Sequence, residues 1–268
     1  MKGAVFLGGG RITGALVAGL RLARYDRPVI VHDRHPDKLA KLKWEHGVIT
    51  EPDLHHAVES AHLLVLAVRP DSIEALLKKI SKRRIRRKLV AVSLAAGIPL
   101  SALRLALGPP VQWARAMPSP LCRTRQGLTA LTFSHGLTSS IRAGLRAFFA
   151  LVGRVAEIPE NQFDAFTVTF SSSHGYHALA ALTEAAVAHG LNRRIAQMAA
   201  AHALADGVSS WRAGDSSLGN LLDEAATPGG TAAAVISSLD AAGYHRIMQK
   251  GLRAGIKRAQ KNSRLLSG

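Results

Sequence analysis

Cysteine, acidic residues and long apolar runs are all scarce in this sequence. One cysteine, Cys122, stands among 268 residues, which excludes an intrachain disulfide and a cysteine metal cluster. No apolar run approaches the roughly 20 residues of a transmembrane helix. The N-terminus lacks the basic, apolar and small-residue order of a secretory signal. We therefore predict a cytoplasmic protein in which Cys122 is a small buried filler.

The charge is strongly one-sided. The chain has 18 Asp and Glu against 35 Lys and Arg, a formal net charge of +17, which raises the question of nucleic-acid or anionic-membrane binding. The densest basic run, SKRRIRRK over residues 81–88, lacks the interleaved aromatic residues that stack on single-stranded bases. We predict a solvated loop there, with nucleic-acid binding as the weaker alternative. The positive field would also attract anionic cofactors and carboxylate substrates.

A strand, a glycine cluster and a helix open the chain. Residues 3–7 are apolar, Gly8 to Gly10 follow, and an amphipathic pattern begins near Ile12. Glycine suits the sharp turn and the close approach of a pyrophosphate, while the helix N-terminus supplies N–H groups and partial positive charge. Thr13 stands at the third fingerprint position, where Gly or Ala is usual. We predict a dinucleotide site loosened at Thr13; the alternative is an ordinary tight loop.

The end of the second predicted strand, residues 28–32, bears on cofactor choice. Asp33 and Arg34 follow it directly. An acidic residue there hydrogen-bonds the ribose hydroxyl of NAD, whereas an arginine accepts the 2′-phosphate of NADP. A guanidinium pairs bidentately with phosphate, and Asp33 can turn away. We therefore favour NADP over NAD, with NAD left open and with Arg34 as a plain surface cation as the other interpretation.

Strands alternate with helices as far as residue 158, and helices dominate thereafter. Alternation predicts an α/β domain with a doubly wound parallel sheet, which collects ligands at the carboxyl edge of its strands. We predict a Rossmann-type dinucleotide-binding domain over residues 1–159 and an all-α substrate and dimerisation domain over 160–268. The alanine-rich second part suits a core completed by another copy, so we expect at least a homodimer. The basic tail, residues 257–264, is expected to fray. Further strands are predicted over residues 62–68, 89–94, 111–117, 128–133 and 154–158.

Several segments in order resemble the pyrroline-5-carboxylate reductase family. The glycine turn is similar to that family's Gly-Ala-Gly-Asn-Met-Ala. The other matching segments are Ala67-Val68-Arg69-Pro70, Val92 to Gly97, Arg115-Ala116-Met117-Pro118, Gly127 to Leu131 and Thr227-Pro228-Gly229-Gly230-Thr231. The resemblance covers nearly the whole chain. It implies an NAD(P)H-dependent reductase that converts 1-pyrroline-5-carboxylate to L-proline, with a Rossmann domain and an interleaved helical dimerisation domain.

The resemblance also implies site residues. Gly8, Gly10, Arg11 and Ile12 would hold the pyrophosphate, beside the ribose position already given to Asp33 and Arg34 by their place after the second strand. Ala67, Val68, Arg69 and Pro70 would line the dinucleotide, and Ala95, Ala96 and Gly97 would lie near the nicotinamide. Gly229, Gly230 and Thr231 would bind the substrate carboxylate, and Ser119, Ser171, Ser172 and Ser173 occupy matching substrate positions. We take Thr231 and His174 as candidate catalytic residues.

The departures from the family pattern lie on the substrate side. Ser119-Pro120-Leu121 replaces Asn-Thr-Pro, and the Ser171 to Ser173 run with His174 replaces a Gly- and Pro-containing helix start. Ala232 stands where a second hydroxyl is common, which removes a candidate proton donor. His174 and His177 have the i, i+3 spacing of metal ligands, yet no acidic or cysteine partner is evident, so we predict no metal. They either donate protons or simply pack.

Two other functions stay open from the sequence. One is an oxidoreductase acting on a different imine or carbonyl acid, which the altered substrate loop and Ala232 favour. The other, which the same departures favour, is a non-catalytic dinucleotide-binding protein that uses its positive surface to meet nucleic acid. Reduction of a small-molecule cyclic imino acid remains the leading interpretation, and the intact glycine turn, Ala67 to Pro70 and the Pro-Gly-Gly segment indicate that cofactor and architecture are retained.

Overall fold

The computed structural model of the protein describes residues 3–266. The outermost ends of the two predicted domains, residues 1–2 and 267–268, lie outside these residues. The described residues form an α/β part followed by helices, which confirms the predicted fold class.

The central strands are buried on both faces of one sheet. In the first strand, β1 (Ala4–Leu7), Ala4 and Phe6 face one core while Val5 and Leu7 face the other, because successive side chains of a strand point to opposite sides. Burial on both faces is what a parallel sheet covered by helices requires, and it explains the continuous apolar sequence of β1 and of β4 (Leu63–Leu66).

One eight-stranded sheet runs in the order β3-β2-β1-β4-β5-β6-β7-β8. The order reverses between β1 and β4, which opens a crevice at the carboxyl edge of these strands. The strands are β1 Ala4–Leu7, β2 Val29–His32, β3 Ile49–Thr50, β4 Leu63–Leu66, β5 Leu89–Ser93, β6 Val111–Pro118, β7 Gly127–Phe133 and β8 Gly153–Glu157.

The predicted parallel pairing holds for every pair of neighbouring strands but one, and that exception makes the sheet mixed. β6 and β7 pair antiparallel, while β7 and β8 pair parallel. Only a short 3₁₀ segment, Pro120–Thr124, joins β6 to β7. A parallel connection needs a crossover of a dozen residues or more, so this short link imposes the antiparallel pairing.

Twelve α-helices and two 3₁₀ segments occur within residues 3–266. Asn192 caps α9 through a bond from the Arg194 amide, as expected from its sequence position. The α-helices are α1 Arg11–Leu22, α2 Pro36–His46, α3 Leu54–Ser60, α4 Pro70–Ser81, α5 Leu100–Ala106, α6 Ser139–Ala150, α7 Glu160–Thr169, α8 Ser173–Ala188, α9 Arg193–Ala213, α10 Leu218–Ala225, α11 Thr231–Ala241 and α12 Tyr244–Ser263; the second 3₁₀ segment is Arg264–Leu266.

Contacts divide the chain into two compact units. The first holds the described residues up to Val168 together with those from Gly255 onward, and the second holds Thr169–Ala254. The sheet unit therefore includes nearly all of α7 and the last turns of α12. The domain boundary at residues 159 and 160 stays a prediction. None of the described helices is long and apolar enough to cross a membrane.

The helical unit buries very little of itself. Among its described residues only Thr183, Ala196 and Ala200 are buried. Large apolar side chains are exposed instead, and their exposed fractions are higher than is usual on the surface of a soluble monomer. They include Tyr176 at 68%, Met198 at 59%, Val208 at 56%, Leu218 at 59%, Val235 at 58% and Ile247 at 62%.

Candidate active site

The glycine turn lies between β1 and α1. Gly8 has a φ of +109°, and a Cβ there would lie 2.6 Å from the carbonyl oxygen of Ala67 at the end of β4. Only glycine meets both demands, a left-handed backbone and a close neighbour. The Gly8 amide donates to the His32 carbonyl at 2.7 Å, which ties the turn to the end of β2.

Thr13 closes this turn instead of loosening it. Its side chain is fully buried, and its hydroxyl donates a 2.5 Å hydrogen bond to the carbonyl oxygen of Gly8. The expectation of a loosened turn was therefore wrong. The buried threonine hydroxyl makes a hydrogen bond to the Gly8 carbonyl that glycine or alanine at this position could not make.

The first turn of α1 can hold an anion. Gly10 is the N-cap in an extended conformation and has no side chain to cap the helix, so the first backbone N–H groups, those of Arg11 and Ile12 among them, have no intrahelical acceptor. No atom lies within 4 Å of a Cβ built on Gly10, and the Arg11 side chain is exposed. A phosphate group fits this open, positively polarised end.

The Asp33 carboxylate is held by the protein. Its Oδ2 accepts from the Gly9 amide at 2.7 Å, and its Oδ1 accepts from the amide of His35 at 2.8 Å. The His35 ring contacts Oδ1 at 2.8 Å, and Lys38 Nζ lies 3.8 Å from Oδ2. Burial raises the pKa of Asp33, but the hydrogen bonds from Gly9 and His35 outweigh it and leave this pKa below its usual value.

Arg34, next in sequence, is exposed. Within residues 3–266 no hydrogen bond or ion pair engages its guanidinium. Asp33 has thus turned toward the glycine turn, while Arg34 stays available at the same strand end.

The end of β4 lies directly beside the glycine turn. The Ala67 amide donates to the Leu7 carbonyl at 2.8 Å, and Val68 Cγ1 approaches the place where a Gly8 Cβ would be. Arg69 is 82% exposed and pairs with Asp71 at 2.7 Å. Pro70 is the first residue of α4 and lies at the end of this wall of the crevice.

The end of β5 is covered by the last turns of α12. Asn262 Nδ2 donates to the Ala96 carbonyl at 3.1 Å. Gly97 has a φ of +77° and packs against the backbone carbonyl of Ala259, which leaves no room for a Cβ. Ala259 is buried. Two successive residues of this turn are therefore held by the C-terminal helix.

Sequence reasoning missed this cover and wrongly expected residues 257–264 to fray. The signal was present: Leu252, Ile256 and Ala259 recur at helical spacing among the basic residues. The high charge of the segment concealed this apolar stripe.

Arg115 is a second residue to which the sequence analysis assigned no role. It lies in β6 opposite Ser93 of β5, with 2% of its side chain exposed. Its guanidinium bonds Glu160 at 3.1 Å and Asp164 at 2.6 Å. Glu160 Oε1 also accepts from the Leu100 amide at 2.9 Å. The arginine thus joins β6, α7 and the start of α5, the helix after the Ala95 to Gly97 turn.

Ser119 directly follows the last residue of β6 in the sheet unit. Its Oγ accepts from the Leu121 amide at 3.1 Å and caps the Pro120–Thr124 segment. That segment packs on α1 at Gly19, against the Cys122 carbonyl. Gly19 is eight residues from Arg11, about 12 Å along the helix axis at 1.5 Å per residue. The substrate role of Ser119 stays a prediction.

Cys122 is fully buried. Burial raises the pKa of its thiol to about 11, so it stays protonated at neutral pH. This confirms the filler role expected of it.

The serine run lies at the start of α8 in the helical unit. Ser171 Oγ and Ser173 Oγ are 2.7 Å apart and hydrogen-bonded, and Ser172 is the N-cap. His174 is half-buried and His177 exposed. No group of three metal-ligating side chains occurs in the part of the chain that the structure describes.

The Pro-Gly-Gly segment forms the start of α11. Gly229 has a φ of +77°, and Gly230 is an extended N-cap without a side-chain cap. The Gly230 amide donates a hydrogen bond to the Thr227 carbonyl at 2.8 Å. Thr231 opens the helix and is exposed, so the next N–H groups and its hydroxyl can meet a carboxylate.

Comparisons with known proteins agree with this architecture. The family described as NADP oxidoreductase coenzyme F420-dependent matches residues 4–97, and the one described as pyrroline-5-carboxylate reductase dimerisation matches residues 160–262. A pyrroline-5-carboxylate reductase of Mycobacterium leprae is 30% identical, covering 95% of this chain and 94% of that protein. One from Thermus thermophilus is 32% identical, covering 94% and 95%.

A solved structure agrees over the same length. The pyrroline-5-carboxylate reductase of Coxiella burnetii is 26% identical with a TM-score of 0.86, covering 97% of this chain and 98% of that one. Fold, motifs and relatives thus coincide over almost the whole chain, which belongs to the pyrroline-5-carboxylate reductase family.

Proposed function

We propose that the protein reduces 1-pyrroline-5-carboxylate to L-proline with NADPH. A hydride would go to the carbon of the ring C=N bond, and a proton would go to its nitrogen. The observation that carries this proposal is the 30–32% identity to reductases of this name over 94–95% of the chain. The shape of the glycine turn supports it independently, since Gly8 and the uncapped α1 suit a dinucleotide.

The nicotinamide cofactor supplies the hydride when bound. Gly8, Gly10, Arg11 and Ile12 would receive its pyrophosphate at the N-terminus of α1. Ala67, Val68, Arg69 and Pro70 would form one wall, and Ala95, Ala96 and Gly97 would face the nicotinamide. Since the cofactor carries the redox chemistry, the main task of these residues is to align it and to exclude water.

NADPH is preferred over NADH in this proposal. The Asp33 oxygens already accept from Gly9 and His35, so this carboxylate is poorly placed to take two ribose hydroxyls. Arg34 is exposed beside it, with Lys38 on the following helix. A guanidinium can bond two phosphate oxygens at once. The family match described as NADP oxidoreductase points the same way.

The substrate carboxylate would bind at the start of α11. Gly229 and Gly230 shape the turn, and Thr231 adds a hydroxyl to the first free N–H groups. Ser119, Ser171, Ser172 and Ser173 remain proposed substrate-side residues. With Ala232 in place of a second hydroxyl, Thr231 and His174 are the proposed proton donors or orienting groups.

We also propose that the enzyme is a homodimer formed through its helical unit. The apolar side chains exposed there in one chain, among them Met198, Val208 and Val235, would be covered by the partner copy. The family match described as dimerisation spans this unit. An isologous interface of such helices buries the same surface on both subunits.

The test is the loss of NADPH absorbance with purified protein and a panel of cyclic imino acids of different ring size. Turnover on 1-pyrroline-5-carboxylate with formation of proline supports the proposal. Turnover confined to another imine would favour the second candidate, an imine reductase of different specificity, which the substitution at Ala232 supports.

A further inference from the structure

A cleft lies at the opposite edge of the sheet from the glycine turn. It is formed by the loop before β5 and the loop before β6, so it opens at the amino ends of these parallel strands. The glycine turn follows the carboxyl end of β1. A five-residue strand such as β5 spans roughly 16 Å, which separates the two edges. The cleft therefore does not belong to the proposed active site.

The rim of the cleft is positively charged. Arg83, Arg84 and Arg86 line it, and its lining has no acidic residue. Arg83 lies 3.9 Å from Glu59. Within residues 3–266 no ion pair engages Arg84 or Arg86, and both are exposed. Two guanidinium groups are thus available to a ligand.

Helix ends reduce this positive charge without cancelling it. α4 ends at Ser81 and α5 ends at Ala106, both in the cleft lining. Each C-terminus contributes about −0.5 charge, so the two together offset roughly one of the three guanidinium charges. The cleft retains a net attraction for anions.

The floor of the cleft is apolar and held in place. Leu107, Pro109, Pro110 and Val111 contribute to it. The buried Trp113 donates from its indole N–H to the Leu107 carbonyl at 2.8 Å. Preorganised support of this kind lowers the cost of ordering a loop on binding.

Arg87, the neighbour of the rim arginines, serves the fold instead. Its guanidinium bonds the carbonyls of Val58, Glu59 and Ala61 at the end of α3. These bonds tie the end of the loop that carries Arg83, Arg84 and Arg86 to the end of α3. Arg87 thus gives one residue of the basic run, residues 81–88, a structural role outside the proposed cofactor site.

We propose that this cleft binds a phosphorylated small molecule. Its volume of about 740 Å³ is in the range of small-ligand sites, roughly 300–1,000 Å³. A guanidinium rim matches phosphate oxygens, and the apolar floor accepts a ring or other apolar group attached to the phosphate. The group that the rim recognises is phosphate. The ligand that carries it is either a free polyphosphate anion or a nucleotide.

The test is isothermal titration calorimetry of the full-length protein with one equivalent of NADPH per chain, which occupies the tighter site at the glycine turn and leaves the cleft free. Inorganic diphosphate and ATP are titrated separately. We expect one further binding event, weakened by added NaCl because the rim is exposed to solvent. Tighter binding of ATP than of diphosphate assigns the floor to a nucleotide, and equal binding assigns the site to the phosphate alone. No further event with either probe would overturn the proposal.

The variant Arg84→Gln/Arg86→Gln should weaken this event about tenfold or more. The matched control is Arg123→Gln/Arg154→Gln, which removes the same charge from exposed residues outside the cleft. Unchanged NADPH affinity and circular dichroism show that both variants fold. An equal loss in the control would reduce the effect to net charge and contradict the proposal. Binding of a single-stranded oligonucleotide but of neither small probe would also contradict it.

Discussion

The backbone amide of Gly9 donates a hydrogen bond of 2.7 Å to the Asp33 carboxylate. This contact joins the glycine turn after β1 to the residue that follows β2. It turns the acidic group at the strand end inward and leaves Arg34 exposed. The rigidity of the turn therefore depends on Gly9 and Asp33, and in our proposal the choice of cofactor depends on the same contact.

The Asp33 contact gives a pH dependence of stability. Because the pKa of Asp33 is lowered in the folded protein, its stabilisation is present above the ordinary aspartate pKa, about 3.9, and is lost as pH falls through the lower folded value. Asp33→Asn should therefore unfold at lower urea than the wild type at pH 7, and this gap should narrow below about pH 4.

Urea midpoints at pH 7, 5 and 3 measure this effect. Asp26→Asn, a change at an exposed aspartate, is the control and should show a small gap at every pH. A gap for Asp33→Asn that stays constant from pH 7 to pH 3 would count against an ionised Asp33 as the stabilising species.

Arg34→Ala should raise the KM for NADPH about tenfold or more, the value of a lost charge-assisted phosphate contact, and should leave the KM for NADH nearly unchanged. The physical reason is that only NADPH carries the 2′-phosphate. Steady-state kinetics with both cofactors measure the two constants. Arg27→Ala removes an exposed charge at the opposite end of β2 and serves as the control. Equal losses for both cofactors would show that Arg34 does not read the phosphate.

Arg115→Met should destabilise the protein by roughly 1–3 kcal/mol, because the arginine is buried while the Glu160 and Asp164 side chains stay 34% and 28% exposed and can still be partly hydrated. It leaves Glu160 and Asp164 without their cation, while Glu160 still accepts from Leu100. Chemical denaturation measures the loss. The triple variant with Glu160→Gln and Asp164→Asn should recover part of the stability, because it removes the unpaired charges. A triple variant less stable than Arg115→Met would contradict this account.

Asn262→Ala should slow hydride transfer clearly while it lowers the free energy of unfolding only a little. The bond to the Ala96 carbonyl fixes the turn proposed to face the nicotinamide, and its loss should cost about 1 kcal/mol of stability. Single-turnover rates and urea midpoints separate the two effects. The neighbouring exposed Lys261→Ala is the control. An unchanged hydride-transfer rate in Asn262→Ala would show that the Asn262 side chain has no part in positioning this turn.

The sequence predicted those features that local pattern determines. The glycine turn, the buried strands and the helical second part follow from periodicity over short windows. The antiparallel β6 and β7 pair was missed because alternation alone does not fix strand direction. Arg115 meets Glu160 across 45 residues, and Asn262 meets Ala96 across 166. Such partners are chosen by tertiary packing, which a single sequence does not display.

Hydride transfer to the imine tests the central claim most directly. The protein is incubated with 1-pyrroline-5-carboxylate and NADPH deuterated at both C4 positions, and the product is analysed by mass spectrometry. The account predicts proline that carries one deuterium, on the carbon that formed the C=N bond. Cofactor that stays reduced while the imine remains unconverted, in a protein that binds NADPH, would contradict it.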